Sequence, residues 1–335
     1  MITENFYEKF KEAMLDENYD NVYIIAHSNP DGDAVGSSCA LAHLLRRFGK
    51  HSKAFFSDLN TPESKFDYIA DKNEEFDDFD VEHIITTDVT DSYRLSGVPV
   101  GCEEYTDFLD KLDFVIDHHE QNTIECGNML VLPEKSSCGE IIYDLYKMFG
   151  QPFDDYSARA LYTAIATDTG CFRYNNTTPS TFLAAAELMP AVEDNFLPEI
   201  INRNFETKPK KKLNIESYAA LHARYYFDDE FVFSVFDTKT REELDATPDM
   251  FDGISGMLRQ VEGVKAAFLL RQEKSGNYKV SVRSRFNGVT GVDCSALCES
   301  FGGGGHKAAA GCIMKDDAET CIKLLLRAAR KYEIK

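Results

Sequence analysis

Three short apolar runs in the first half of the chain each end on an acid or an imidazole. Val22-Tyr23-Ile24-Ile25-Ala26 leads into His27-Ser28-Asn29-Pro30-Asp31-Gly32-Asp33. His83-Ile84-Ile85-Thr86-Thr87 leads into Asp88, and Phe114-Val115-Ile116 into Asp117-His118-His119. Such runs read as buried strands, and Ser52-Lys53-Ala54-Phe55-Phe56 reads as another. Helical stretches separate and follow them. Residues 34–48 place Val35, Cys39, Ala42 and Leu45 near one face, with Gly49 as a C-terminal cap. Further helices are expected at about 139–149, 155–168 and 178–190. The alternation predicts an α/β fold with a doubly wound, mostly parallel sheet and helices on both faces. Ligands of such sheets bind beyond the carboxyl ends of the strands, so the polar exits should converge on one edge.

Pro190, Pro198 and Pro209 bracket a change of composition ending in Lys208-Pro209-Lys210-Lys211-Lys212. This places a first domain at 1–190, a linker at 191–215 and a second domain at 216–335. The second is richer in strands. Phe231–Val235, Ala266–Leu270 and the period-two run Tyr278–Ser284 read as strands, and a helix begins near Asp317. It is expected to be a smaller α+β domain. The acidic stretch Asp71–Asp80 and the Lys208–Lys212 cluster both read first as solvated segments.

Charge narrows the partners. Lys and Arg number 36 against 57 Asp and Glu, a net −21. That argues against long duplex nucleic acid, whose backbone needs clustered cations. No apolar run reaches the ~18–20 residues of a membrane span, and the N-terminus has no basic-then-apolar secretory pattern. Nine cysteines are scattered without a Cys-x-x-Cys pair, which favours free thiols and a cytoplasmic location. Cys294 and Cys298, four apart, read as small buried residues on one helix face.

His27, Asp31, Asp33, Asp88, Asp117, His118, His119 and, after a helical run, Asp168 form the chemical inventory. Carboxylates with imidazole and no thiolate suit a hard divalent ion, Mn²⁺ or Mg²⁺, rather than structural zinc. Crowded carboxylates would repel one another without a cation. Singly, each piece has a bland reading: Asn29-Pro30-Asp31-Gly32 is a turn sequence and Asp88 could cap a helix. Jointly those readings leave the charged strand exits unexplained.

These motifs resemble the DHH phosphoesterases. The triplet stands as Asp117-His118-His119, the first motif as His27 to Ser37, the second around Asp88, and the fourth as Asp168-Thr169-Gly170-Cys171-Phe172-Arg173-Tyr174. Phe301-Gly302-Gly303-Gly304-Gly305-His306 resembles the signature of the DHH-associated domain. The resemblance covers nearly the whole chain. It implies two divalent cations, Mn²⁺ first and Mg²⁺ or Co²⁺ as alternatives. His27, Asp31 and Asp88 would hold one ion, and Asp33, Asp88, His118 and Asp168 the other, with Asp88 shared. Asp117 would orient a histidine, and His119 would contact the scissile phosphate and protonate the leaving oxygen.

The glycine run has two readings, a flexible linker or a place where backbone N–H groups approach a phosphate. It is neither a P-loop nor a dinucleotide fingerprint. By resemblance, Arg283 and Ser284 would grip a distal phosphate beside Gly303, Gly304, Gly305 and His306, with Arg285 following closely. Arg173 and Arg94 are weaker phosphate contacts, each as readily paired with a local carboxylate.

The resemblance implies a phosphoesterase acting on short single-stranded RNA, on the linear dinucleotide pApA and on the 3′-phosphate of adenosine 3′,5′-bisphosphate. Its active site would lie in the interdomain cleft. Cyclic-dinucleotide hydrolysis, pyrophosphate hydrolysis on the same metals, and a non-catalytic nucleotide-binding protein are the alternatives. The last predicts a lost ligand, and every expected position is filled. No membrane partner is expected, and the oligomeric state stays open, a homodimer included. The acidic shell is expected to discourage long polyanions while a locally basic cleft accepts short ones.

Overall fold

The structure, a computed structural model, describes residues 2–56, 65–70, 79–95, 97, 105–286 and 290–334. Most of the acidic stretch, Asp71–Asp78, and Cys102 lie outside the described residues. The chain divides into two units, Met1–Thr207 and Lys208–Lys335.

In the first unit, α1 (Ile2–Leu15) carries Phe6, Phe10 and Met14 four apart, and all three are buried. The chain continues through β1 (Val22–Ile25), α2 (Gly32–Arg47), β2 (Ser52–Phe55), β3 (His83–Thr87), α3 (Tyr105–Asp110), β4 (Leu112–Asp117) and β5 (Met129–Val131). The five strands are all parallel in the order β2-β1-β3-β4-β5. Side-chain alternation covers both faces. Val22, Ile24, Ile85 and Ile116 join the large core with α1 and the helices described next. Tyr23, Ile25 and Ile84 pack instead with Phe108 of α3. Because every strand runs the same way, their polar exits meet at one edge.

Four more helices follow: α4 (Cys138–Met148), α5 (Asp155–Asp168), α6 (Pro179–Leu188) and α7 (Phe196–Ile201). Glycines let α2, α4 and α5 approach closely. A Cβ on Gly32 would lie 2.4 Å from Thr167 Oγ1, and one on Gly139 would lie 2.4 Å from the Ala164 Cβ. These contacts draw the first turn of α2, the first turn of α4 and the last turn of α5 together. The expected linker, 191–215, is mostly helical. It holds α7, a π-helical turn at Asn202–Glu206 and the start of α8 (Lys210–Leu221). Its prolines begin or border helical turns rather than a coil.

The second unit continues with β6 (Arg224–Tyr226), β7 (Phe231–Phe236), α9 (Thr238–Glu243), α10 (Ile254–Leu258), β8 (Ala266–Gln272) and β9 (Tyr278–Ser284). Then come β10 (Gly291–Val292), α11 (Cys294–Glu299), β11 (Gly304–His306), β12 (Ala309–Met314), α12 (Ala318–Lys331) and β13 (Glu333–Ile334). Its main sheet is mixed, in the order β11-β12-β9-β8-β7-β6, with β7 and β8 parallel. β10 and β13 form a separate pair. The period-two run forms β9, with Tyr278, Val280, Val282 and Ser284 buried. Cys294 and Cys298 are buried on α11 in the core with Leu325 of α12. The eight described cysteines are free thiols. Among the described residues, no helix is long and apolar enough to cross a membrane.

Candidate active site

The exit of β1 starts with His27. Its Nδ1 lies 2.9 Å from the Ser28 carbonyl oxygen, so that nitrogen donates and Nε2 is left facing the acids. Nε2 is 3.9 Å from Asp31 Oδ1 and 3.7 Å from Asp88 Oδ2. Asp31 caps α2, accepting the amides of Asp33 and Ala34 at 3.0 and 3.1 Å. The turn and the site therefore use the same carboxylate. Asp88 ends β3 at φ +53°, a left-handed conformation rare for side chains larger than glycine. Its amide donates to Ile116 on β4, which pins the turn.

Asp33 is almost wholly buried and accepts the amides of Cys138 and Gly139 at 2.8 and 2.9 Å. It therefore sits at the positive end of α4. His118 Nε2 lies 3.8 Å from Asp33 Oδ2, 3.6 Å from Asp88 Oδ1 and 3.8 Å from Asp168 Oδ2. Asp168 ends α5 and accepts from Asn176 Nδ2 at 3.1 Å, which also holds the Ser136 carbonyl. Four overlapping donor groups result among the described residues, His27–Asp31–Asp88, Asp33–His118–Asp168, Asp88–His118–His119 and Asp33–Asp88–Cys138, and the first two share no residue. Asp88 faces both, offering one oxygen to His27 and the other to His118.

Spacings of 3.6–3.9 Å are too long for hydrogen bonds. They match what a small cation about 2 Å from each donor leaves between its ligands. The electrostatics point the same way. Burial, then the Asp88 charge, pushes Asp33 well above the usual carboxylate range. Burial lifts Asp168 to about 6, opposed by His118 and aided by Asp88 and Asp31. For Asp88 burial pushes upward, but His118, His119 and His27 hold it below its ordinary value. Burial disfavours the His118 cation, yet Asp88, Asp33 and Asp168 raise it to about 10. The protein's own groups thus borrow protons to neutralise a cluster that a divalent cation would neutralise directly. These residues fit such an ion. Cys138 closes the rear of the cluster, its Sγ 3.9 Å from Asp117 and 4.0 Å from Asp88. Burial keeps it a thiol.

Asp117 is fully buried and serves its neighbours. Oδ1 accepts the His118 amide at 2.8 Å and the His119 ring Nδ1 at 2.8 Å. Oδ2 accepts Asn122 Nδ2 at 2.7 Å. Asn122 also donates to the Val89 carbonyl at 2.8 Å and accepts from Ile124, tying Asp117 to the segment after Asp88. The hydrogen bond to Asp117 raises the His119 pKa against the effect of burial. It leaves Nε2 as the outward nitrogen. Asn122, Asn176 and Cys138 escaped the sequence reading, because nothing local distinguishes them from other polar loop and helix-start residues.

A cavity of about 140 Å³ is lined by His27, Asp31, Asp88, Val89, Thr90, Arg94, His119 and Asp168. A larger groove bounded by Lys65, Glu199, Asn202, Arg203 and Thr207 has no converging acids and imidazoles among the described residues. Arg173 does not line the smaller cavity among the described residues; its Nε donates to the Gly170 carbonyl within its own turn.

In the second unit, Arg283 is exposed on β9 and pairs with Ala309 across the sheet. Ser284 is buried, and its hydroxyl donates to Lys265 O and accepts from the Val292 amide. The glycine run is no free loop. Gly304–His306 is β11, paired antiparallel with β12. A Cβ on Gly303 would lie 2.1 Å from the Gly311 oxygen, and one on Gly305 would lie 2.6 Å from the Ala309 oxygen. Gly304 meets nothing within 4 Å. Glycine is thus needed at 303 and 305 by the hairpin itself.

Residues 21–165 match the DHH family, N-terminal domain, and residues 228–333 match the DHHA1 domain. A bifunctional oligoribonuclease and PAP phosphatase NrnA of Thermus thermophilus is 31% identical over 92% of this chain and 89% of its own length. The protein of the same name in Bacillus subtilis is 27% identical over 94% of this chain and 96% of its own length. The fold is similar to that of an exopolyphosphatase-related protein from Bacteroides fragilis, with a TM-score of 0.82 and 22% identity, covering 98% and 96% of the two chains.

Proposed function

Because the chain belongs to the DHH family of phosphoesterases, we propose that it is a two-cation enzyme for very short nucleic acids. It cuts short oligoribonucleotides to mononucleotides and removes the 3′-phosphate of adenosine 3′,5′-bisphosphate. The observation that carries this reading is Asp88, buried and shared between two ligand groups that converge on one cavity. The names of the full-length relatives support the substrate class.

When bound, two divalent cations, Mn²⁺ first, supply Lewis-acid charge to the phosphate and a nucleophile at neutral pH. His27, Asp31 and Asp88 hold one, and Asp33, Asp88, His118 and Asp168 the other. Asp117 fixes His119 through Nδ1, and Asn122 fixes Asp117. His119 keeps a proton on Nε2 and delivers it to the leaving oxygen. In the second unit, Arg283, His306 and the Gly304 backbone take the far end of the substrate, while Ser284 braces that strand and Arg285 is spent on the carbonyls of Arg259, Gln260 and Val261. The net charge of −21 makes long polyanions poor substrates.

Purified protein with Mn²⁺ is offered a two-mer, a five-mer, a thirty-mer, adenosine 3′,5′-bisphosphate, cyclic-di-AMP and pyrophosphate. Mononucleotide from the two-mer and phosphate from the bisphosphate are expected. Leaving both intact overturns the reading. Equal efficiency on the thirty-mer and the two-mer at low salt overturns the size preference.

A further inference from the structure

The first unit has six arginines, and five of them have partners. Arg46 donates to the Ser52 carbonyl, Arg47 and Arg203 pair with Asp154 and Asp67, Arg159 pairs with Asp155, and Arg173 donates to Gly170. Arg94 has no side-chain partner among the described residues, in a chain with a surplus of acids. It is also the only cation other than histidine among the described residues lining the catalytic cavity. Asp31, Asp88 and Asp168 line the same cavity, yet none comes within ion-pair distance of it.

Its backbone, by contrast, is firmly held. The Ser28 amide donates to the Arg94 carbonyl at 2.5 Å, and Leu95 forms an isolated β-bridge with His27. Asp91 caps the short turn Ser92–Arg94, accepting the Tyr93 amide at 2.8 Å. The arginine is therefore carried on a segment tied to the exit of β1 that bears His27 and Asp31. A fixed base and an unclaimed guanidinium in a cavity are what a phosphate-binding arginine requires, since its planar fork accepts two phosphate oxygens.

We propose that Arg94 binds non-bridging oxygens of the phosphate under attack, acting beside His119. The proposal rests on the phosphoesterase reading above. The acids lining the cavity are reserved for cations, which leaves the guanidinium to meet the anion.

The test uses the full chain loaded with Mn²⁺, as wild type, Arg94→Ala and Arg94→Lys. Arg94→Ala should lower kcat/KM about 100-fold on both the dinucleotide and the bisphosphate, the size of one lost charge-assisted clamp. Arg94→Lys should recover part of the loss, because charge returns without the fork. Mn²⁺ affinity, read by electron paramagnetic resonance of free Mn²⁺, should stay within twofold. Inorganic phosphate, read by ³¹P relaxation from bound Mn²⁺, should bind at least fivefold more weakly to Arg94→Ala. Unchanged kcat/KM and phosphate binding would overturn the proposal. So would a parallel loss of Mn²⁺ affinity, which would make Arg94 a tether of the His27 segment. If wild type cleaves neither substrate, the phosphoesterase reading fails, and the phosphate measurement still decides whether Arg94 binds the anion.

Discussion

The two groups of candidate residues are built in opposite ways. In the first unit Asp33, Asp88 and Asp117 are buried, and each is fixed by backbone or imidazole partners. In the second, Arg283, Gly304 and His306 lie exposed on β9 and β11. Buried carboxylates are costly unless something neutralises them. In the first unit hydrogen bonds and protons shared with the imidazoles offset that cost, as a bound cation would. Exposed arginine and glycine cost the fold little and can wait for an anion. A centre for cations must be rigid and dry, whereas a grip on a substrate end can be open.

The largest effect should come from the residue both cation groups share. Asp88→Ala should lower turnover at least about 1,000-fold while circular dichroism stays native, because one carboxylate serves both ions. Retained turnover would break the shared-ligand account. An equal loss from His306→Ala would erase the contrast between the two regions. Next, cation loading must displace protons from the cluster. His118 holds one up to about pH 10 without metal, so Mn²⁺ affinity should rise about tenfold per pH unit between roughly 6 and 9. A flat isothermal titration series would show that His118 is not displaced.

The glycine run supplies the next contrast. Gly303→Ala and Gly305→Ala push a Cβ into the facing strand, so each should destabilise the second unit by about 1–3 kcal/mol. Gly304→Ala meets open space and should leave the urea midpoint unchanged while raising KM severalfold. If all three behave alike, the separation of a structural from a binding glycine fails.

What the sequence made legible follows from this asymmetry. Strand exits announce themselves because an acid directly after an apolar run breaks a strong pattern, and the parallel sheet is then forced to gather them. The strand at Tyr278–Ser284 was readable from its period of two, and a helix was expected from near Asp317, where Ala318–Lys331 forms one. Asn122 and Asn176 were not, since their importance lies in contacts with Asp117 and Asp168 that no spacing encodes. The boundary between the two units, Thr207/Lys208, falls inside the segment 191–215 that the change of composition marks, but its helical turns were not legible, since a proline reads as a break unless the following turn is known. The glycines at 303 and 305 carried a fold requirement visible only once β12 lay against β11.

The smallest effects separate two carboxylates at opposite ends of α5. Asp154 caps its N-terminus, where the Ser157 amide, His43 and Arg47 surround it, and despite burial it is held well below the usual range. Asp168 closes the C-terminal end, where the helix dipole is unfavourable, and burial lifts it to about 6 from an ordinary 3.8. The signs follow from linkage. A depressed Asp154 contributes stability above the unfolded value of 3.8, and that contribution is lost as pH falls below it. A raised Asp168 costs stability that is absent below pH 3.8 and fully present above about 6. At pH 7 without metal, Asp168→Asn should therefore stabilise the first unit by about 1–2 kcal/mol, because a buried charge is removed and the amide oxygen still accepts from Asn176. Asp154→Ala should destabilise by about 1 kcal/mol, the loss of one cap, since solvent screens its ion pairs. Urea unfolding at pH 5 and pH 7 reads both. The gain from Asp168→Asn should shrink at pH 5 and reverse when Mn²⁺ is added, because the ligand then matters more than the charge. A gain that survives Mn²⁺ would place Asp168 outside the cation centre.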